Sequence, residues 1–188
     1  PFDSVLTGDP QLRRRPMRRI TAPLRVMGAQ IDDTDGHAPL IIHGNRLRGA
    51  EHPLRIASAQ VKSALLLAGL TADGPTTVHQ PGPARDHTER LLQAMGAALT
   101  VDGLSVTLRP LHLQPLTFHV PGDLSSAAFP LVAATLLPGS KITLHDVGLN
   151  PTRTGLLDVL QAMGANGTVS AKGEEAGEQV GDLTVRRG

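Results

Sequence analysis

The 188-residue sequence contains no cysteine, tryptophan or tyrosine, and only three phenylalanines. The missing cysteines exclude a disulfide scaffold, thiol catalysis and thiolate metal sites. Scarce aromatics remove the stacking platforms that single-stranded nucleic-acid binders use. There is no run of about twenty apolar residues of the kind a membrane span needs, and the opening residues do not follow the basic-then-apolar order of a secretion signal. A soluble cytoplasmic protein, with no membrane partner, is the expectation. Lysine plus arginine (18) nearly balance aspartate plus glutamate (17), so the net field is too weak to steer a polyanion. What the chain does have is glycine (20) and proline (15), the mark of many short elements and turns. All but three of its basic residues are arginine, the side chain suited to bidentate grip on carboxylate and phosphate. The first residue, Pro1 in place of an initiator methionine, fits a piece of a longer polypeptide or simple processing of the start.

A repeat organises the chain. Leu24-Arg25-Val26-Met27-Gly28-Ala29, Leu92-Gln93-Ala94-Met95-Gly96-Ala97 and Leu160-Gln161-Ala162-Met163-Gly164-Ala165 share one pattern, with methionines 68 residues apart both times. In each, an apolar-periodic stretch runs into glycine, as at a helix end, and an extended segment follows. Upstream, Ser58–Leu70 and Ser125–Leu137 read as matching helices, the second with Pro130 near its start or at a kink. Thr76–His79 and Lys141–His145 follow them as strands. The unit is strand, helix, strand, helix and paired strands, and the chain holds nearly three. The polar stretch Ala171–Gly181 reads as a loop before a final short strand. A change of domain falls near 115–122, where prolines interrupt the pattern.

Several polar clusters sit at helix starts. Arg13, Arg14, Arg15, Arg18 and Arg19 surround Pro16, with Pro16 at a plausible first helical position; a solvated helix start, a small-anion site and a nucleic-acid patch all fit. Ser58 and Gln60 open the most apolar helix, Ser58 either as a cap or as a ligand for an oxyanion. Arg85 lies just outside a helix that Asp86 or Thr88 can cap, Asp86 in a capping-box spacing with Glu89, and is better placed than Arg90 to reach a ligand. Asp123 caps a helix or supports a polar network, and Arg153 reads as a surface residue. The eight histidines are scattered, without metal-binding spacing, and no GxGxxG, Walker loop or nucleophile elbow occurs.

Five segments taken in order, LTGDPQLRRRPM (6–17), ASAQVKSALLLAGL (57–70), ARDHTERLLQAMGA (84–97), VPGDLSSAAF (120–129) and VGLNPTRTGLLDVLQAMGA (147–165), closely resemble the 5-enolpyruvylshikimate-3-phosphate synthase family. The resemblance implies an α/β fold, an inside-out prism built from βαβαββ repeats and incomplete in this chain. Residues 1–120 would be the last two units, the first of them partial, of the domain that binds shikimate 3-phosphate; residues 121–188 would be the first unit of the other domain. It implies transfer of the enolpyruvyl group of phosphoenolpyruvate to the 5-hydroxyl of shikimate 3-phosphate, with release of phosphate, in aromatic amino acid biosynthesis. No metal or redox cofactor is implied, and glyphosate becomes an inhibitor to test.

By the same resemblance, Arg15 binds the phosphoenolpyruvate side, while Ser58, Ala59 and Gln60 form the segment that holds shikimate 3-phosphate, with Ser58 on its phosphate and Gln60 near the ring or the second substrate. Arg85 is a further shikimate 3-phosphate contact, and Asp123 is a junction or supporting residue. None of these is a catalytic acid or base. The family's Lys-Ser segment, its Gly-Asn-Ala-Gly-Thr-type segment and its later Asp and Glu have no counterpart here, so the chain is expected to hold only part of an active site and to be inactive alone. Its partners would be the missing portions of the same polypeptide. A non-catalytic fragment that binds phosphorylated ligands or complements a partner is the alternative reading. A nucleic-acid module on Arg13–Arg19 ranks behind both, and the resemblance assigns no nucleic acid. Position 18 is arginine where relatives usually have glycine, a change that either alters the Arg15 site or lies on the surface.

Overall fold

The computed structural model describes residues 2–187. In chain order its elements are β1 (Ser4–Leu6), α1 (Pro10–Arg13), α2 (Arg18–Val26), β2 (Gln30–Thr34), β3 (His37–His43), β4 (Glu51–Pro53), α3 (Ala59–Gly69), β5 (Thr76–His79), α4 (His87–Ala94), β6 (Ala98–Asp102), β7 (Ser105–Arg109), α5 (Leu124–Leu136), β8 (Lys141–Gly148), α6 (Gly155–Ala162), β9 (Asn166–Glu175) and β10 (Glu178–Arg186). Two compact units result. One holds the residues through Ala84 together with 96–114; the other holds 85–95, which includes α4, together with the residues from 115 onward.

The 68-residue period is a structural repeat. From β4 to β7 the order is strand, helix, strand, helix, strand, strand, and the sheet runs β4-β5-β7-β6, with β4 parallel to β5 and the other pairs antiparallel. The same grammar returns from Gly122 onward. There the opening strand shrinks to one parallel bridge between Gly122 and Val147, and the sheet runs β8-β10-β9. The sheet β1-β3-β2 is the end of a third copy. The repeated glycines explain why the pattern was readable. Gly28, Gly96 and Gly164 stand at φ +92, +79 and +87, where a side chain would clash with its own backbone, so each helix exit needs the residue without a β-carbon.

Burial follows the periods of the elements. In the first unit, α3 turns Val61, Leu65 and Leu66 inward onto β5 and β7, whose alternating Val78, Val106 and Leu108 are almost wholly buried. In the second, α5 lays Leu124, Ala127, Leu131 and Ala134 on β8 and β10, where Val147, Leu183 and Val185 meet Leu149 and Leu160. Both α2 and α5 run through a proline, Pro23 and Pro130. Pro130, expected near the helix start or at a kink, stands in the middle of α5. The carbonyls that lose a partner belong to Arg19 and Ser126, both exposed, so water can satisfy them.

The expected loop at Ala171–Gly181 is instead the end of a long hairpin, with β9 and β10 paired from Glu178–Glu175 to Arg186–Asn166. Its two turn residues, Ala176 at φ +50 and Gly177 at φ +83, give the primed turn that matches strand twist. Antiparallel pairing satisfies the backbone whatever the side chains, which is how so polar a stretch becomes strand. No described helix is long and apolar enough to cross a membrane.

Candidate substrate-binding site

In the first unit the arginine-rich segment is framed by two short helices. Asp9 caps α1, its Oδ1 accepting the amides of Gln11 (2.7 Å) and Leu12 (2.9 Å), and Pro10 occupies the first turn. Pro16 is not a first helical residue as expected. It lies between the helices, because it cannot donate to continue α1 and disfavours helical geometry at Arg15. Arg13, Arg14, Arg15, Arg18 and Arg19 are all exposed, and the Arg15 side chain makes no hydrogen bond or ion pair with a described residue.

Ser58 is the extended N-cap of α3, at φ −142 and ψ 108, its Oγ accepting the Val61 amide at 3.4 Å; Ala59 and Gln60 form the first turn. Long-range folding joins this turn to the arginine segment: Arg19 Nη2 donates to Gln60 Oε1 at 3.0 Å. The Arg19 guanidinium thus meets the carboxamide of the α3 first turn, which Ser58 caps, and a guanidinium beside a helix start is a donor set suited to phosphate or carboxylate. Lys62, two residues on, is buried. Arg18 lies across the β2–β3 turn: a β-carbon built on Gly36 would come within 2.6 Å of its Nε.

The second unit holds Arg85 and Asp123, both lining an open cavity of about 460 Å³. Arg85 is exposed, whereas Arg90 is committed, donating to Asp86 at 2.9 Å and to the Gly177 carbonyl at 3.0 Å. Asp86 makes no side-chain cap and so departs from the expected capping box. Burial raises its pKa, but hydrogen bonds from Arg90 and Asn150 outweigh that and hold its carboxyl below the usual range. His87 Nδ1 meets Glu178 Oε1 at 2.5 Å. Asp123 caps α5 through the Ser125 amide at 3.1 Å and accepts Arg153 Nη2 at 2.9 Å. Its carboxyl is lowered chiefly by that amide, with Arg153 adding to the effect. Arg153, read as a surface residue, is therefore held in place, also bonding the Ser125 hydroxyl.

Sequence reading missed Asn150. It is buried, donates to Asp86 at 2.8 Å, and accepts from the Thr152 amide at 2.8 Å and hydroxyl at 2.6 Å. The Asn-Pro-Thr turn was its signal, since asparagine there bonds the backbone two residues on. It also missed Lys172, which sits between Asp146 and Asp182 at 2.9 and 2.8 Å. Arg15, Ser58, Ala59 and Gln60 lie in the first unit and Arg85 and Asp123 in the second. Among the described residues no group of three or more histidines, aspartates or glutamates is arranged to hold a metal ion.

Residues 1–186 match the model of the family described as EPSP synthase (3-phosphoshikimate 1-carboxyvinyltransferase). The chain is 56% identical over 185 residues to the 3-phosphoshikimate 1-carboxyvinyltransferase of Anaeromyxobacter sp. (strain Fw109-5), covering 97% of this chain and 43% of that protein. It is 57% identical over 190 residues to that of Synechococcus sp. (strain WH7803), covering 98% and 43%. Its structure is similar to EPSP synthase from Acinetobacter baumannii, with a TM-score of 0.88 at 46% identity, over 98% of this chain and 43% of that one. The chain thus spans less than half the length of the relatives it matches.

Proposed function

This chain belongs to the EPSP synthase family, and from that premise we propose that it is part of a shikimate-pathway transferase acting on phosphoenolpyruvate and shikimate 3-phosphate. In the reaction the 5-hydroxyl oxygen of shikimate 3-phosphate adds to C2 of phosphoenolpyruvate while C3 takes up a proton. Phosphate then leaves C2 and a proton leaves C3, which restores the double bond as an enolpyruvyl ether. Cationic groups and oriented donors stabilise the phosphates and the carboxylate throughout.

The observation that carries this reading is the junction of Arg19 with Gln60, which brings the arginine segment to the first turn of α3. In it Arg15 receives the phosphoenolpyruvate side, Ser58, Ala59 and Gln60 receive shikimate 3-phosphate, and Arg85 is a further contact to the latter. Asp123 is a supporting residue that fixes Arg153 and the start of α5. The catalytic acid and base come from the rest of the polypeptide, and glyphosate is an inhibitor to test. The domains are inside-out prisms, residues 1–120 belonging to the shikimate 3-phosphate-binding one and 121–188 opening the other; the recurring βαβαββ order supports this. The enzyme works in the cytoplasm.

Substitution in the gene's complete product tests the site. Arg15→Ala should raise the KM for phosphoenolpyruvate, and Ser58→Ala the Kd for shikimate 3-phosphate, each by about 10- to 100-fold, the worth of a hydrogen bond to a charged group. Unchanged values in both would contradict the assignment.

A further inference from the structure

The β2–β3 hairpin tip is built around one carboxylate. Asp33 Oδ1 accepts the Gly36 amide at 2.6 Å, and Oδ2 accepts Arg25 Nη2 at 2.7 Å. The Asp33 side chain is only 11% exposed, and its bond to the Gly36 amide is part-buried, whereas its bond to Arg25 reaches the surface. Arg25 is clasped further by the Ile31 carbonyl, 3.2 Å from its Nε, which fixes the C-terminal turn of α2 against β2. At the other end of α2 the Gly36 carbonyl accepts the Met17 amide at 2.7 Å. Met17 is the N-cap of α2 and has no side-chain cap bond, so this backbone bond anchors the helix start. Gly36 is at φ +81 with Arg18 lying over it, so the tip tolerates no side chain without displacing Arg18. Hydrogen bonds from Arg25 and then Gly36 hold the Asp33 carboxyl below its ordinary range, which keeps it ionised at neutral pH.

Met17 lies two residues after Arg15 and two before Arg19. The Arg15 side chain has no partner among the described residues, so the direction in which it projects depends on the backbone at Met17. We propose that Asp33 is a positioning residue for the Arg15–Arg19 anion-binding segment, acting through the hairpin tip that anchors Met17. It touches no ligand. Its effect is to hold the three arginines of that segment, Arg15, Arg18 and Arg19, on a backbone that is already placed, which lowers the cost of ordering them around an anion. The inference rests on the reading of Arg15 as the phosphoenolpyruvate contact.

The test uses the gene's complete product, with KM for phosphoenolpyruvate, kcat, equilibrium binding of shikimate 3-phosphate alone, and thermal midpoint measured for Asp33→Ala and Asp33→Asn. Asp33→Ala should raise the phosphoenolpyruvate KM by roughly 10-fold, the scale of a misplaced binding group, while shikimate 3-phosphate binding stays within about twofold because Ser58 and Ala59 are set by α3 and Arg19 keeps its own bond to Gln60. Asp33→Asn keeps an acceptor for Gly36 and loses the charge for Arg25, so it should fall between Asp33→Ala and the parent. If Asp33→Ala does not fold, Asp33→Asn decides alone. A selective rise supports the proposal; lost stability with both affinities unchanged, or both weakened equally, overturns it. Arg15→Ala in the same assay separates the two ideas. No effect of Arg15→Ala removes the reading of Arg15 itself, whereas an effect there with none at Asp33 removes only the positioning role.

Discussion

Arg19 and Gln60, 41 positions apart in the chain, are joined by a 3.0 Å hydrogen bond from guanidinium to carboxamide. The bond spans two helices of the first unit, α2 and α3, which pack on each other. Through it Arg19 of the basic segment meets the first turn of α3, the contact on which the proposed small-anion site rests.

Both residues of that pair are exposed, so the bond adds little to stability, about 0–1 kcal/mol by analogy with surface pairs. Arg19→Ala and Gln60→Ala should leave the thermal midpoint nearly unchanged. Each should weaken binding of phosphorylated ligand, and the double variant should lose less than the sum of the singles, as coupled partners do. Titration calorimetry with shikimate 3-phosphate on the four proteins checks this.

The cores of the two units answer to different leucines. Leu66, fully buried on α3, and Leu131, fully buried on α5, should each cost about 2–5 kcal/mol when changed to alanine. Hydrogen exchange should place the first loss among β5 and β7 and the second among β8 and β10. Uniform loss across both units would show that they unfold together.

Asp182 sets an acid limit. Lys172 is the main cause, with His145 and the Asp146 amide adding, and together they hold its carboxyl at about 2 against an ordinary 3.8. A lowered folded-state pKa means that the stabilisation is complete above 3.8 and is lost as pH falls towards 2. Asp182→Asn should be less stable at neutral pH and show a flatter stability curve across that acid window. Parallel curves for the variant and the parent would contradict this.

Ala176 is a residue with a β-carbon in a left-handed turn position, at φ +50. Asparagine is favoured there ahead of glycine in a primed two-residue hairpin turn. Ala176→Asn should therefore stabilise the second unit by about 0.5–1 kcal/mol, seen as a rise in thermal midpoint. A fall would mean that the turn is not the strained position the backbone indicates.

What was legible in the sequence was whatever local chemistry dictates. Gly28, Gly96 and Gly164 announced three helix exits because only glycine meets their φ cheaply, and Ser58 announced the start of α3 because its hydroxyl caps it. What was not legible depended on distant partners. Asp86 and Glu89 have capping-box spacing, yet Asp86 turns to Arg90 and to Asn150, 64 residues away. The stretch Ala171–Gly181 has loop composition and becomes strand because β10 lies between β8 and β9. The role of Arg18 at the hairpin tip needed the fold of β2 and β3, which no motif in the sequence announces.

The central claim, that this chain carries one part of an EPSP synthase site, is tested most directly by phosphate release from phosphoenolpyruvate and shikimate 3-phosphate, measured on the purified 188-residue chain with and without the complementary family segments. The account predicts no turnover by the chain alone and turnover on complementation, abolished or greatly reduced by Arg15→Ala. Turnover by the chain alone would contradict it, since the missing acid and base would then have to reside within these residues.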